Sequence, residues 1–278
     1  MSGSKSNDFI YPGKVGLGSA ELHYQVMGKG NEALLAFHGF GQNSSHFSGF
    51  SNIVQGEYTV YSFDLFFHGM SNWPEKGTSL EKEQWKHLII NFLIKNKIEK
   101  FSLIGYSLGA KFVLATLEAF PDRIKQITLI APDGIKTNFW YSLATYPVIL
   151  RYWFKSFIKN PSPFFLFLKF MRALGFVDKG IARFASRQMD TEDKRKRVYL
   201  SWVIFRHLKF NMSDISGLIN RQSVKLEMFL GKYDKIMTER NMARLLNKVE
   251  KYQLHILETG HNTLINDVAN FYKGKKYK

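Results

Sequence analysis

The stretch FSLIGYSLGAKFVLATL, Phe101 to Leu117, decides the fold. Its first five residues suit a buried strand, and Leu108, Phe112, Leu114, Ala115 and Leu117 can supply the packed face of a helix. Ser107 stands at the junction, with Gly105 two residues before it and Gly109 two after. A strand that turns directly into a helix forces the junction residue into a cramped backbone conformation, and flanking glycines give the chains room to pass. The hydroxyl is left exposed at the turn. This G-x-S-x-G pattern, set between a strand and a helix, makes Ser107 a candidate nucleophile.

Similar apolar runs lie on both sides: ALLAFHG (33–39), YTVYSFD (58–64), QITLIA (126–131), KLEMFLG (225–231) and YQLHILE (252–258). Val15 to Val26 reads as a hairpin turning at GLGS, and Ser79 to Lys95 as a helix that Thr78 and Glu81 open with a capping box. Continuous apolar strands alternating with helices predict an α/β fold, a mostly parallel sheet covered by helices on both faces. In such folds ligands bind at the carboxyl ends of the strands. The alternation breaks once, where about ninety residues separate LIAPDG from KLEMFLG. Its aromatic, basic sequence, interrupted by NPSP (160–163), predicts an inserted helical cap over 135–215. The core is then split into 1–134, with 1–13 a flexible tail, and 216–278.

A chain of 278 residues with 45% hydrophobic content can bury a sizeable core. The absence of cysteine excludes disulfides and thiolate metal sites. MSGSKSNDFIYPGK lacks the apolar core of a signal peptide, so a cytoplasmic location is expected. No run reaches the eighteen or so uninterrupted apolar residues of a spanning helix. The formal charge is +16, and residues 135–210 hold 15 Lys+Arg against 4 Asp+Glu together with 18 of the 43 aromatic residues. Cations mixed with aromatics suit peripheral contact with an anionic membrane surface, and nucleic acid is the less favoured partner. DKRKRVYLSWVIFRHLK (193–209) is the best candidate stretch for that contact.

A serine hydroxyl needs a base, usually a histidine oriented by a carboxylate. His261, in YQLHILETGHN, lies just past a strand end, whereas His255 lies within the strand and reads as structural. Asp234, in FLGKYDKIM, follows the preceding strand; Asp133, in APDG, follows an earlier one and is the rival acid. H-E-x-x-H and G-x-x-x-x-G-K-[ST] are both missing, and GLGSAE (16–21) lacks the third glycine of a dinucleotide loop. No metal and no cofactor are therefore expected.

HGFGQ (38–42), DLFFHGMS (64–71), GYSLG (105–109), GKYD (231–234) and GH (260–261), in this order, resemble the motifs of the α/β-hydrolase superfamily. The likeness is to its capped, single-domain serine hydrolases, such as esterases and thioesterases. It implies Ser107 as nucleophile, Asp234 as acid and His261 as base, with the backbone N–H groups of Phe40 and Leu108 as oxyanion hole. His38 and His68 then hold loops together. Two positions depart from the pattern: Phe67 stands where D-x-x-G-H-G-x-S has glycine, and Thr238 where a proline often follows the acid. The expected activity is hydrolysis of an ester or thioester with a hydrophobic acyl or aromatic group, through an acyl-enzyme. FWYSLATYPVILRYWF and FFLFLKFMRAL are the stretches expected to wall the substrate. C–C bond hydrolysis, acyl transfer and ligand binding with little turnover are the alternatives. A serine at the elbow argues against relatives that use aspartate as nucleophile.

Overall fold

The computed structural model describes residues 11–74, 78–136 and 139–276. Eight strands form one sheet: β1 (Tyr11–Leu17), β2 (Ala20–Met27), β3 (Glu32–Phe37), β4 (Tyr58–Phe63), β5 (Phe101–Tyr106), β6 (Ile124–Ile130), β7 (Lys225–Gly231) and β8 (Tyr252–Leu257). Their spatial order is β1-β2-β4-β3-β5-β6-β7-β8. β1 and β2 pair antiparallel, β2 meets β4 antiparallel, and the strands from β4 to β8 run parallel. The helices are α1 (Ser48–Val54), α2 (Lys82–Lys95), α3 (Gly109–Ala119), α4 (Phe139–Thr145), α5 (Val148–Ser156), α6 (Ser162–Ala173), α7 (Lys179–Gln188), α8 (Glu192–Ile204), α9 (Met212–Arg221), α10 (Glu239–Leu246) and α11 (Leu264–Lys276). None of them is long and apolar enough to cross a membrane.

Because successive strand side chains alternate in direction, a continuous apolar strand feeds two cores at once. Leu35 and Phe37 of β3 and Leu103 of β5 enter the layer that contains α2, α3, α9 and α10. Leu34 and Ala36 of β3 and Ile104 of β5 enter the other, with α1 and α11. Phe37 stacks on Phe63 at 5.2 Å, and Trp85 of α2 meets Phe112 of α3 edge-on at 4.8 Å. The buried Trp85 indole N–H donates to Thr116 Oγ1 at 3.0 Å, so this ring enters the core without an unmet donor.

Four expectations shift. Residues 11–13 belong to β1, paired with Tyr24, Gln25 and Val26, so only 1–10 of the expected tail remain, outside the described residues. Pro12 is tolerated there because β1 is an edge strand. α2 starts at Lys82, not at Ser79, because the Leu80 N–H is drawn to the Ile204 carbonyl (2.9 Å) at the end of α8. The capping box moves by three residues: Glu81 takes the N-cap place expected of Thr78, and Gln84 the place expected of Glu81, accepting from the Glu81 N–H at 2.9 Å. Between β6 and β7 the chain runs through α4 to α8, but α9 places Met212, Ile215 and Ile219 in the main core, so residue 215 falls inside a core helix. Finally, the stretch 193–209 does not offer its cations as a row. Arg195 is buried and donates to the carbonyls of Ile158 (2.8 Å), Met189 (3.0 Å) and Asp190 (3.2 Å), and Lys194 pairs with Asp190.

Gly109 begins α3 where it crosses the end of β3, and a Cβ there would lie 2.0 Å from the Phe37 carbonyl oxygen. Gly49, in α1, has nothing within 4 Å of the same position. Gly109→Ala should therefore lose on the order of 3 kcal/mol, a fall of roughly 6–12 °C in the unfolding midpoint. Gly49→Ala should be neutral or slightly stabilising. Thermal melts of the two variants check the contrast.

Candidate active site

Ser107 follows β5 with φ of 49°, in the left-handed region that costs a residue with a Cβ roughly 1–2 kcal/mol. Hydrogen bonds on both sides hold it. Its N–H donates to the Ile130 carbonyl at 2.9 Å, and its carbonyl accepts from Ala110 and Asp133, each at 3.0 Å. The flanking glycines are required by close approach: a Cβ at Gly105 would meet Val113 Cγ2 at 2.6 Å, as one at Gly109 would meet β3.

His261 and Asp234 arrive from the loops after β8 and β7. His261 Nε2 lies 3.1 Å from Ser107 Oγ, and His261 Nδ1 lies 2.6 Å from Asp234 Oδ2. With Nδ1 protonated, the tautomer that the carboxylate dictates, Nε2 is left to accept the serine proton. The other carboxylate oxygen, Oδ1, accepts from the N–H groups of Ile236 (2.8 Å) and Met237 (3.0 Å). Burial alone pushes the Asp234 carboxyl upward. The hydrogen bond and charge of His261, with the two N–H groups, outweigh it and hold the group below the ordinary carboxylate range. The turn that Asp234 caps is built by Ile236 and Met237, so Thr238 in place of proline leaves it intact.

The structure brings Asp234, not Asp133, to His261. Asp133 sits 3.3 Å from the buried Lys111 ammonium of α3, which also lies 4.4 Å over the Tyr141 ring of α4. Burial would lower Lys111, but the Asp133 carboxylate and Tyr141 reverse that and raise it, so the ammonium keeps its charge. Asp133 is thus committed to neutralising Lys111.

The N–H groups of Phe40 and Leu108 have no intramolecular acceptor among the described residues. The Phe40 loop is folded locally: Gln42 Oε1 accepts from the Gly39 N–H at 3.0 Å. His38 Nε2 accepts from the Leu65 N–H at 3.0 Å, and the two oxygens of Asp64 accept from Ser44 (2.7 Å) and Met70 (2.9 Å). His38 and Asp64 therefore knit the loops after β3 and β4 together. Burial drives His38 well below the usual histidine range, and the neighbouring His68 adds to this; burial takes His68 itself down to about 4. His255 bonds Glu227 (3.0 Å) and stacks on Phe229, inside the sheet.

One contributor escapes sequence reading, and one departure from the motifs finds its reason. Tyr106, the variable residue of G-x-S-x-G, donates its hydroxyl to the His261 carbonyl at 2.6 Å and lies against the imidazole, with ring centroids 5.4 Å apart. Phe67 has φ of 68°, the conformation that glycine adopts freely, and its ring contacts Phe205 at 5.9 Å. The departure from glycine exchanges backbone ease for packing onto the end of α8. A cavity of about 490 Å³ at the amino ends of the strands, lined by Tyr58, Ser102, Glu227 and Tyr272 among others, lies at the opposite end of the sheet from Ser107.

Residues 32–268 match the family model of the alpha/beta hydrolase fold, and the chain belongs to that family. An uncharacterized protein of Mycobacterium tuberculosis is 27% identical over 127 residues, 45% of this chain but only 36% of that protein. Among solved structures, a thermophilic esterase from Thermogutta terrifontis superposes with a TM-score of 0.68 at 14% identity, covering 96% of this chain and 97% of its own. The thioesterase domain from the curacin biosynthetic pathway does so with 0.64 at 14%, covering 95% and 99%.

The folded chain does not protonate His68 until about pH 4, whereas an unfolded histidine does so near 6.5. The unfolded state binds more protons between these values, so stability falls as pH drops from about 6.5 to 4, by on the order of 3 kcal/mol. Unfolding midpoints across that window should fall less in His68→Asn than in the parent chain. Parallel falls would contradict the assignment.

Proposed function

We propose that the protein is a cofactor-free serine hydrolase that cleaves an ester or thioester of a hydrophobic acyl or aromatic group through an acyl-enzyme. The observation that carries the reading is the unbroken line from Ser107 Oγ to His261 (3.1 Å) to Asp234 (2.6 Å), together with two N–H groups, of Phe40 and Leu108, that have no acceptor among the described residues. Ser107 Oγ attacks the carbonyl carbon while His261 Nε2 takes its proton, and Asp234 stabilises the imidazolium through Nδ1–H. The N–H groups of Phe40 and Leu108 hold the oxyanion, a contribution worth several kcal/mol to such a step. His261 returns the proton to the departing alcohol or thiol. It then deprotonates a water that attacks the acyl carbon, releasing the carboxylic acid and restoring Ser107. Water is the only co-reactant the balance requires.

The helical excursion between β6 and β7 acts, in this reading, as a cap that sets the substrate. Phe154, Tyr199 and Trp202 cluster with Phe40 of the loop that supplies one amide, and Gln188 of α7 comes within 3.5 Å of the Cβ position at Gly41. An apolar wall beside a polar reaction centre favours a substrate whose acyl side is hydrophobic.

With p-nitrophenyl esters and acyl-thioesters of increasing length, kcat/KM should rise from acetyl upward, by up to about fourfold per buried methylene. Ser107→Ala should lower kcat by on the order of a million-fold with the fold intact. Asp234→Asn should cost roughly ten-thousand-fold, and far more than Asp133→Asn. No hydrolysis of any member of the series would point to a binding protein, and the reverse ranking of the two aspartates would move the acid to β6.

A further inference from the structure

Ten of the sixteen exposed large hydrophobic side chains among the described residues fall between Leu143 and Phe176. α5 turns Phe154 inward, and Phe157 follows it into the same cluster, while Ile149 (81% exposed), Tyr152 (71%) and Trp153 share the opposite face at helical spacing. α6 does the same: Phe164 and Phe165 pack inward, while Leu166 and Phe170, four residues apart, and Leu174 just beyond its end face outward. A helix that is apolar on all sides is normally covered on all sides. α6 has no buried residue at all.

The same stretch holds Arg151, Lys155, Lys159, Lys169 and Arg172 and no Asp or Glu. Among the described residues none of the five enters an ion pair. We propose that the outer face of α5 and α6 docks on an anionic phospholipid bilayer, with Ile149, Tyr152, Trp153 and Phe170 entering the interface and the flanking cations reaching the headgroups. Long basic side chains lay their stems along apolar surface and carry their charge to the boundary, where tyrosine and tryptophan also settle. A second copy is a poor occupant, because a two-fold contact through this patch would set five cations against five. Nucleic acid would engage the cations but gain nothing from the exposed Ile149, Leu166 and Leu174. The buried Arg195 of α8 supports the surface from behind, since its bond to the Ile158 carbonyl ties α8 to the turn between α5 and α6.

The inference does not rest on the chemistry at Ser107, and the Ser107→Ala chain, full length, is the right probe because it cannot consume the lipid. It is sedimented with vesicles of phosphatidylcholine alone and of phosphatidylcholine with phosphatidylglycerol, at low and high salt. Binding should favour the anionic vesicles at least about tenfold and weaken with salt. Replacing Lys155, Lys159 and Lys169 by Gln should weaken it by roughly fivefold per cation. Ile149→Gln with Phe170→Gln should also release the protein, with an unchanged unfolding midpoint. Equal binding to both vesicle types, no binding, or full binding by the Ile149→Gln/Phe170→Gln chain would overturn the proposal. Self-association through the patch in sedimentation velocity, or DNA binding lost with the three lysines, in the absence of vesicle binding, would assign the surface to another partner and overturn it equally.

Discussion

The contact between Gly109 and the Phe37 carbonyl sets the rest of the site. Because α3 starts this close to the end of β3, the first N–H groups of the helix stand beside the loop that leaves β3. The amides of Leu108 and Phe40, which have no acceptor among the described residues, thereby belong to one place. The same crossing forces Ser107 into its left-handed conformation, which the sheet maintains through the Ile130 carbonyl on one side and the Asp133 N–H on the other. Strain at one residue is stable only when its surroundings over-determine it. Here β5, β6 and α3 all hold Ser107.

Around this point the polar groups are distributed so that each carboxylate has one task. Asp64 gathers the N–H groups of the loop after β3 and of its own loop, Asp133 neutralises Lys111, and Asp234 is left for His261. Lys111 also reaches Tyr141, so the first helix of the excursion is tied to the helix that carries the elbow. The packing of the excursion and the geometry at Ser107 are therefore mechanically linked through α3. Leaving Lys111 buried without Asp133 would expose the core to an uncompensated charge, a cost of several kcal/mol.

The parts legible in the sequence are those written in local pattern. Six parallel strands announce themselves as continuous apolar runs, and the residues that end them, Ser107, Asp234 and His261, could be listed before their contacts were known. Helix α3 was legible because its glycines and its apolar spacing agree. What stayed hidden depends on contacts distant in sequence. The start of α2 is displaced by a bond to residue 204, and the inward turn of Arg195 is dictated by carbonyls at 158, 189 and 190. Tyr106 matters through a carbonyl 155 positions away. A charge run such as 193–197 gives no sign of which member points inward, because a single buried guanidinium needs only three well-placed carbonyls.

The central claim is that His261 activates Ser107, and covalent labelling tests it most directly. Intact-mass and peptide mapping after treatment with a fluorophosphonate should show a single adduct on Ser107, forming at least about a hundredfold more slowly in His261→Ala. Labelling at another residue, or labelling of Ser107 at an unchanged rate without His261, would contradict the account.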